Sequence, residues 1–391
     1  MALAAIFSLL WAQLTYNPLS GYGVGFPHLT ASGMGLGMGR LSVVGVGTGL
    51  PEQPAHSAHL TAMQADFSGF GRSQVLRTPT QSARFGAGAL QNLQMSFSRG
   101  KGWGFALGLA PQAIQGYQAS SRLQEPLPLR YTEKAEGLLS TAYIQVAGRW
   151  RSLAFGYQFG YLWGTYERQR SIQASAQLLP DFLLTSQRLA GIQHRIGALW
   201  QDSIGKWVYQ VSLSHAFSAS LQRELTYSLQ KNFSFTSVLV DTFSHGQSFW
   251  RYPRQWRGGA AFVGAKWRFA VEGAVAPASE RWEGAGTIPA EGRPAWDVRF
   301  GTEWQPDARS PAFYKRLRYQ AGGYVAQAPF VDVRLYGITA GLGWQFPRSP
   351  NLIYLAMEYG LVPHSQVQER TLQVSIAAVF RELWFIPPRI D

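Results

Sequence analysis

Large apolar residues recur at every second position along most of this chain, and that period constrains the fold more than any other feature. Leu153, Phe155, Tyr157, Phe159, Tyr161 and Trp163 form one such file, with Ala154, Gly156, Gln158, Gly160 and Gly164 set between them. Successive side chains of a strand point to opposite faces, so the file marks a β-strand with one greasy face and one small or polar face. In a soluble protein that face would need a partner sheet to cover it. In a transmembrane barrel, lipid covers it. Near the end, Leu372, Val374, Ile376, Ala378 and Phe380 repeat the pattern, with Trp384 beyond them. Roughly 9–11 residues of tilted strand cross a bilayer core. A half-buried sandwich strand explains one such stretch equally well, so recurrence decides.

The pattern recurs at Leu93–Phe97, Trp103–Leu109, Ile144–Trp150, Trp207–Phe217, Trp267–Val275, Trp296–Trp304, Leu317–Val325, Tyr336–Phe346 and Ile353–Tyr359. The connections alternate in length as well. Short ones are expected near 99–102, 149–152, 203–205, 265–266, 305–314 and 347–350. Long ones are expected near 117–137, 169–188, 225–253, 277–293 and 362–369, with one short exception near 327–331. Short periplasmic turns and long outer loops mark an outer-membrane barrel. The count comes to about fourteen antiparallel strands, an even number that leaves both termini periplasmic.

Composition narrows the alternatives. The 391 residues include no cysteine, which removes disulfides and thiolate metal or redox sites. Met1–Ala12 is apolar, too short to span a membrane as a helix, and reads as a secretory signal peptide. No other apolar run reaches helical spanning length, so a membrane form of this chain must be a closed barrel. A net charge of +13 suits an anionic partner. The charges are spread, which favours outer-membrane lipid or lipopolysaccharide over nucleic acid. The expected division is a signal at 1–12, an N-terminal hatch or plug at 13–57 and a transmembrane β-barrel at 58–391.

Asn17–Gly49 is glycine-rich, but Gly35-x-Gly37-x-Gly39 lacks the dinucleotide-loop spacing, and Pro51 and Pro54 stand where a helix should follow. A small-residue segment folded into the lumen fits better, with Asn17, Pro18, Gly21, Tyr22 and Gly23 as hatch residues. No catalytic or metal site is expected, and no cofactor. His56-x-x-His59 lacks a supporting acid or thiol and reads as an exposed linker pair. His194 and His215 have no hydrolase-type constellation around them and read as wall or girdle residues. Trp250–Arg257 interleaves bases with aromatics, as a nucleic-acid surface can, yet at a barrel rim it reads as interfacial anchoring. Lys266, Arg268, Glu272, Asp297, Arg299, Glu303, Arg316 and Arg318 share the polar face of consecutive strands. They either pair with one another and with the hatch, or line a polar substrate path.

Two stretches carry a family resemblance. Asn17-Pro18-Leu19-Ser20-Gly21-Tyr22-Gly23-Val24-Gly25 resembles the SPYSRYG-type opening of a Bacteroidetes outer-membrane β-barrel family, without its arginine. Leu317–Tyr324, Tyr336–Gly343, Glu358-Tyr359-Gly360 and Leu383-Trp384-Phe385 resemble that family's closing hairpins. The family is similar in architecture to outer-membrane long-chain fatty-acid transporters, fourteen-stranded barrels with an N-terminal hatch. The resemblance implies passive, hatch-gated transport of small hydrophobic or amphipathic compounds, not an enzyme. The alternative is a non-transporting accessory subunit of a larger outer-membrane complex, in secretion or barrel assembly, in contact with other outer-membrane proteins.

Overall fold

The computed structural model describes residues 17–21, 25–45, 49–79, 81–98, 102–123, 129–174, 181–233, 236–278, 291–307, 310–329, 331–346 and 349–382. The expected signal segment, hatch residues Tyr22 and Gly23, and the closing Leu383–Phe385 lie outside the described residues.

Fourteen antiparallel strands close into a barrel. They are β1 Met63–Arg77, β2 Ser82–Ser98, β3 Trp103–Leu123, β4 Leu129–Trp150, β5 Leu153–Ala174 and β6 Asp181–Ile204. Two interrupted strands follow, β7 (Trp207–Ala216 and Ala219–Phe233) and β8 (Thr236–Tyr252 and Gln255–Val263). The remainder are β9 Trp267–Ala276, β10 Ala295–Trp304, β11 Arg318–Gln327, β12 Arg334–Gln345, β13 Leu352–Val362 and β14 Gln368–Glu382. β14 pairs with β1 from Gln368↔Arg77 to Glu382↔Met63, which closes the ring and leaves no terminal edge.

Where the apolar file runs, the strands place their residues as the alternation predicts. On β5, Phe155, Tyr157, Phe159 and Tyr161 are exposed on the outside, while Ala154, Gln158, Gly160 and Leu162 are buried inside. Tight turns close one end of the barrel. Arg151 and Gly205 take positive φ, 56° and 62°, in two-residue turns whose strands need that twist. Ile376, mid-strand on β14, is 54% exposed on the outer face. Ile376→Arg should cost about 2–4 kcal/mol in a reversible unfolding assay if that face meets the bilayer midplane. A cost near zero there would show that lipid does not cover the file.

Three of the long connections, those expected near 117–137, 169–188 and 225–253, are shorter than expected, because strand pairing runs through them, whereas the one expected near 277–293 separates Ala276 from Ala295 as expected. Tyr117↔Ala135 continues to Leu123↔Leu129, Gln169 pairs with Leu184, and Leu225 pairs with His245. β6 alone has 24 residues, roughly 80 Å of strand at about 3.3 Å per residue, far more than a bilayer requires. The hairpins β3–β4, β5–β6 and β7–β8 therefore project well past the membrane on one side. Outside lipid a ladder needs no greasy face, so the apolar period fades while the strand continues. The 305–314 connection departs in the other direction. It holds a one-turn helix, Phe313–Arg316.

Candidate functional site: a filled lumen beside a gap in the wall

The interior is occupied by described residues that precede β1. Residues 25–45 and 49–60 are almost entirely buried against the inward faces of the wall. Close approach explains the glycines on those faces. A Cβ on Gly301 would stand 2.5 Å from the Met38 carbonyl oxygen, and one on Gly156 would stand 2.4 Å from Ala55 N. Gly39 itself takes φ +72° where it passes the backbone of Phe300 and Gly323. His56 and His59 belong to the buried 3-10 turn Pro54–His59, which packs on Gly104 and Gly156. They are not the exposed linker pair that their spacing suggests, because the turn is drawn into the lumen. No group of three or more potential metal ligands occurs among the described residues.

Charge pairing fastens this segment. Glu272 accepts hydrogen bonds from Ser42 N and Val43 N, both at 2.9 Å, and pairs with Arg299 at 3.3 Å. Arg257 grips Asp297 with two bonds of 2.8 Å and reaches Glu52 at 3.0 Å. Arg299 is 1% exposed, bonds Asp297 at 2.8 Å, and donates to the Thr30 and Arg40 carbonyls at 3.0 and 2.6 Å. Arg195 completes the set at 3.7 Å from Glu52. Below it Glu303 holds Arg318, Arg268 and Gln320, whose amide in turn donates to Met34 O. Arg40 pairs with Glu358 at 2.5 Å, Asp66 accepts from Gly33 N, and Asn17 donates to Glu369 at 2.6 Å. Buried charges persist only when paired and hydrogen-bonded in this way.

Of the eight inward charges read from the sequence, Glu272, Asp297, Arg299, Glu303 and Arg318 are buried together, with Arg268 at their edge. Lys266 stands in the exposed turn before β9, and Arg316 in the one-turn helix, so neither joins them. Asn17, Pro18 and Gly21 form the first described turn of the segment. Arg257 departs from the rim reading of Trp250–Arg257. Trp256 faces outward, which turns Arg257 into the lumen, and Trp250 is buried as well. Strand parity counted back from the outward Phe262 contains that signal. Nothing local marked Glu52, Arg40, Arg195 or Glu358 as their partners. His194 sits on the outer face against Tyr157, its Nδ1 2.5 Å from the hydroxyl, and His215 packs on Trp256 with ring centres 3.9 Å apart.

The wall is not continuous. β2 and β3 pair only from Leu93↔Leu109 to Ser98↔Gly104. Past that point β2 stays with β1 and β3 with β4, and the two edges diverge. Bulges at Ser68/Gly69 and Pro111/Ala113 bend the strands there, and Pro111 has no N–H for a ladder. The N-terminal segment enters this gap. Phe26–Pro27 pairs with Ile114–Ala113, His28 N donates to Gln112 O at 2.9 Å, and Ser20 Oγ donates to Gly116 O at 2.9 Å. Alternation is accordingly lost on β3, where 113–117 are all buried.

Apolar side chains surround the gap. Leu19, Phe26, Phe70, Ala89, Ile114 and Val362 form one cluster. A second, of Leu139, Leu162, Tyr166, Leu189, Leu221 and Trp250, fills the lumen toward the projecting hairpins. A cavity of about 60 Å³ remains between Phe26, His28, Arg40, Arg72, Ile114 and Tyr324. On the projecting hairpins Glu133 accepts from Tyr117 and Tyr131 and pairs with Arg168. Burial raises its pKa, but those hydroxyls and the guanidinium outweigh burial and hold it below the usual carboxylate range.

Solved structures share this architecture. The CymD monoaromatic hydrocarbon channel matches with a TM-score of 0.61 at 13% identity, covering 92% of this chain and 99% of its own. The Pseudomonas putida toluene transporter TodX matches with a TM-score of 0.63 at 14% identity, covering 90% and 98%. At such identity the likeness establishes the fold, an outer-membrane β-barrel. No curated protein matches the chain in sequence. A family model described as BamG matches residues 1–391, so this filled, laterally interrupted barrel belongs to the BamG family.

Proposed function

We propose that the protein is a passive outer-membrane transporter of small hydrophobic or amphipathic compounds, with residues 13–57 as a plug and 58–391 as the barrel. The observation that carries this reading is the gap between β2 and β3, lined by apolar side chains and stopped by the N-terminal segment. A hydrophobic solute gains by leaving water for lipid, and a lateral opening offers that exit without crossing a polar lumen. The structural likeness to CymD, a monoaromatic hydrocarbon channel, and TodX, a toluene transporter, supports the same class of solute. The short turns and both ends of the barrel then face the periplasm, the projecting hairpins face outward, and residues 1–12 are the removed signal. Contact with lipopolysaccharide and a Bacteroidetes origin belong to this reading, the latter supported by the motifs at both ends of the chain. No catalytic step is part of it.

The chain has no cysteine, so an engineered pair is clean. Phe26 and Ile114 are directly paired, at a separation suited to a disulfide. In proteoliposomes the F26C/I114C protein should take up toluene when reduced and lose most of that uptake when oxidised. Equal uptake in both states would sink the gated-gap reading.

One observation favours a second reading, an accessory subunit of a larger outer-membrane complex. The segment is fastened by buried charge pairs around the whole lumen, more than a movable stopper requires. An oxidised F26C/I114C protein that restores growth of a deletion strain without passing toluene would select this reading.

A further inference from the structure

The short-turn end of the barrel repeats one pairing. A base stands beside a tryptophan at successive turns: Trp150-Arg151, Lys206-Trp207 and Lys266-Trp267. All three bases are exposed, and the tryptophans face outward, Trp150 at 70% exposure. The Arg151 guanidinium lies 5.2 Å from the centre of the Trp150 ring. The one-turn helix Phe313–Arg316 adds a fourth position. Phe313 and Tyr314 are exposed there, Lys315 Nζ lies 6.0 Å over the Tyr314 ring, and Phe313 meets Trp344 edge-on at 5.9 Å.

The helix and the end of β12 beside it hold donors in want of an acceptor. Arg316 Nε and Trp344 Nε1 are both buried, and neither has a hydrogen-bond partner among the described residues. Buried N–H groups left unpaired are costly. No described residue supplies the acceptor, and the place lies at the level where ring systems sit in the bilayer interface. A lipid phosphate has the required charge, oxygen acceptors and depth, and guanidinium binds it well.

We propose that the short-turn end carries a collar for anionic glycerophospholipid, with its principal seat formed by Lys315, Arg316 and Trp344. The aromatic rings set the depth, and the bases bind the phosphate from the aqueous side. The collar also gives part of the +13 net charge a location and a partner. That the lipid is a phospholipid of the inner leaflet, not lipopolysaccharide, rests on the periplasmic placement of the short turns proposed above.

The test uses the full-length barrel in nanodiscs of mixed phosphatidylglycerol and phosphatidylcholine, with retained lipid read by native mass spectrometry. Phosphatidylglycerol should be retained in preference. K315Q/R316Q should weaken that preference roughly fivefold per base removed, and K134Q, on a projecting hairpin, should leave it unchanged. If K315Q/R316Q does not give a folded, heat-modifiable band, K206Q/K266Q carries the same test. An unchanged preference in the folded variant overturns the proposal. So does equal stabilisation by inorganic phosphate alone, which would mark an anion site, and so does stronger retention of added lipopolysaccharide, which would assign the collar to the other leaflet. Toluene uptake does not enter this measurement, so its result and that of the disulfide experiment separate.

Discussion

Glu272→Ala should destabilise the folded barrel by about 3–5 kcal/mol, the cost of removing one partner from a buried charge cluster. The Glu272 carboxylate neutralises Arg299 and, at longer range, Arg257. It also receives the Ser42 and Val43 N–H groups. Its loss leaves surplus positive charge and two orphaned backbone donors in one place, each donor costing about 1–3 kcal/mol if nothing replaces the acceptor. Glu272→Gln keeps an acceptor oxygen for the backbone while losing the charge, so it should fall between wild type and alanine. Reversible denaturant unfolding followed by tryptophan fluorescence measures both. A loss below about 1 kcal/mol for the alanine variant would place the pair among solvated ones, and the segment would then not be fastened at this point.

Deleting residues 17–60 should turn a sealed barrel into an open one. β14 still closes on β1 without them, and β2 and β3 keep their ladder from Leu93↔Leu109 to Ser98↔Gly104, so the variant should still run as a heat-modifiable band with the β2–β3 gap left open. Every inward glycine that now receives the segment's backbone would face water, as would Arg195, Glu358 and Asp66, whose partners in Glu52, Arg40 and Gly33 are removed. Hydration of those charges limits the stability loss while widening the lumen. Planar-bilayer recording should show a large, steady conductance in place of a closed baseline, and liposomes should leak small polar solutes. A deletion variant that folds and stays sealed would show that the second apolar cluster, around Leu162, Tyr166 and Trp250, closes the barrel alone.

The sequence by itself determined the architecture, because the information it needs is local. Whether Tyr157 faces out and Gln158 in is settled by parity within one strand, and a run such as Leu372–Phe380 carries its own answer. The same parity placed Glu272, Asp297, Arg299, Glu303 and Arg318 inside. It would have placed Arg257 there too, had the break at Pro253–Arg254 not hidden the strand to which Arg257 belongs. Strand ends beyond the membrane were not legible. Without lipid on one side, residues such as Glu133, Lys134 and Arg168 can stand in a ladder and look like loop.

Only the tertiary structure decided what fills the lumen and where the wall opens. Arg257 lies more than two hundred residues from Glu52, and Arg40 more than three hundred from Glu358. A charge's partner across a barrel depends on shear and closure, to which no single strand's pattern refers. The gap is likewise a property of a pair: β2 and β3 each read as ordinary strands, and their ladder ends at Leu93↔Leu109, beside the register shifts where β2 passes Ser68/Gly69 of β1 and at Pro111/Ala113 of β3.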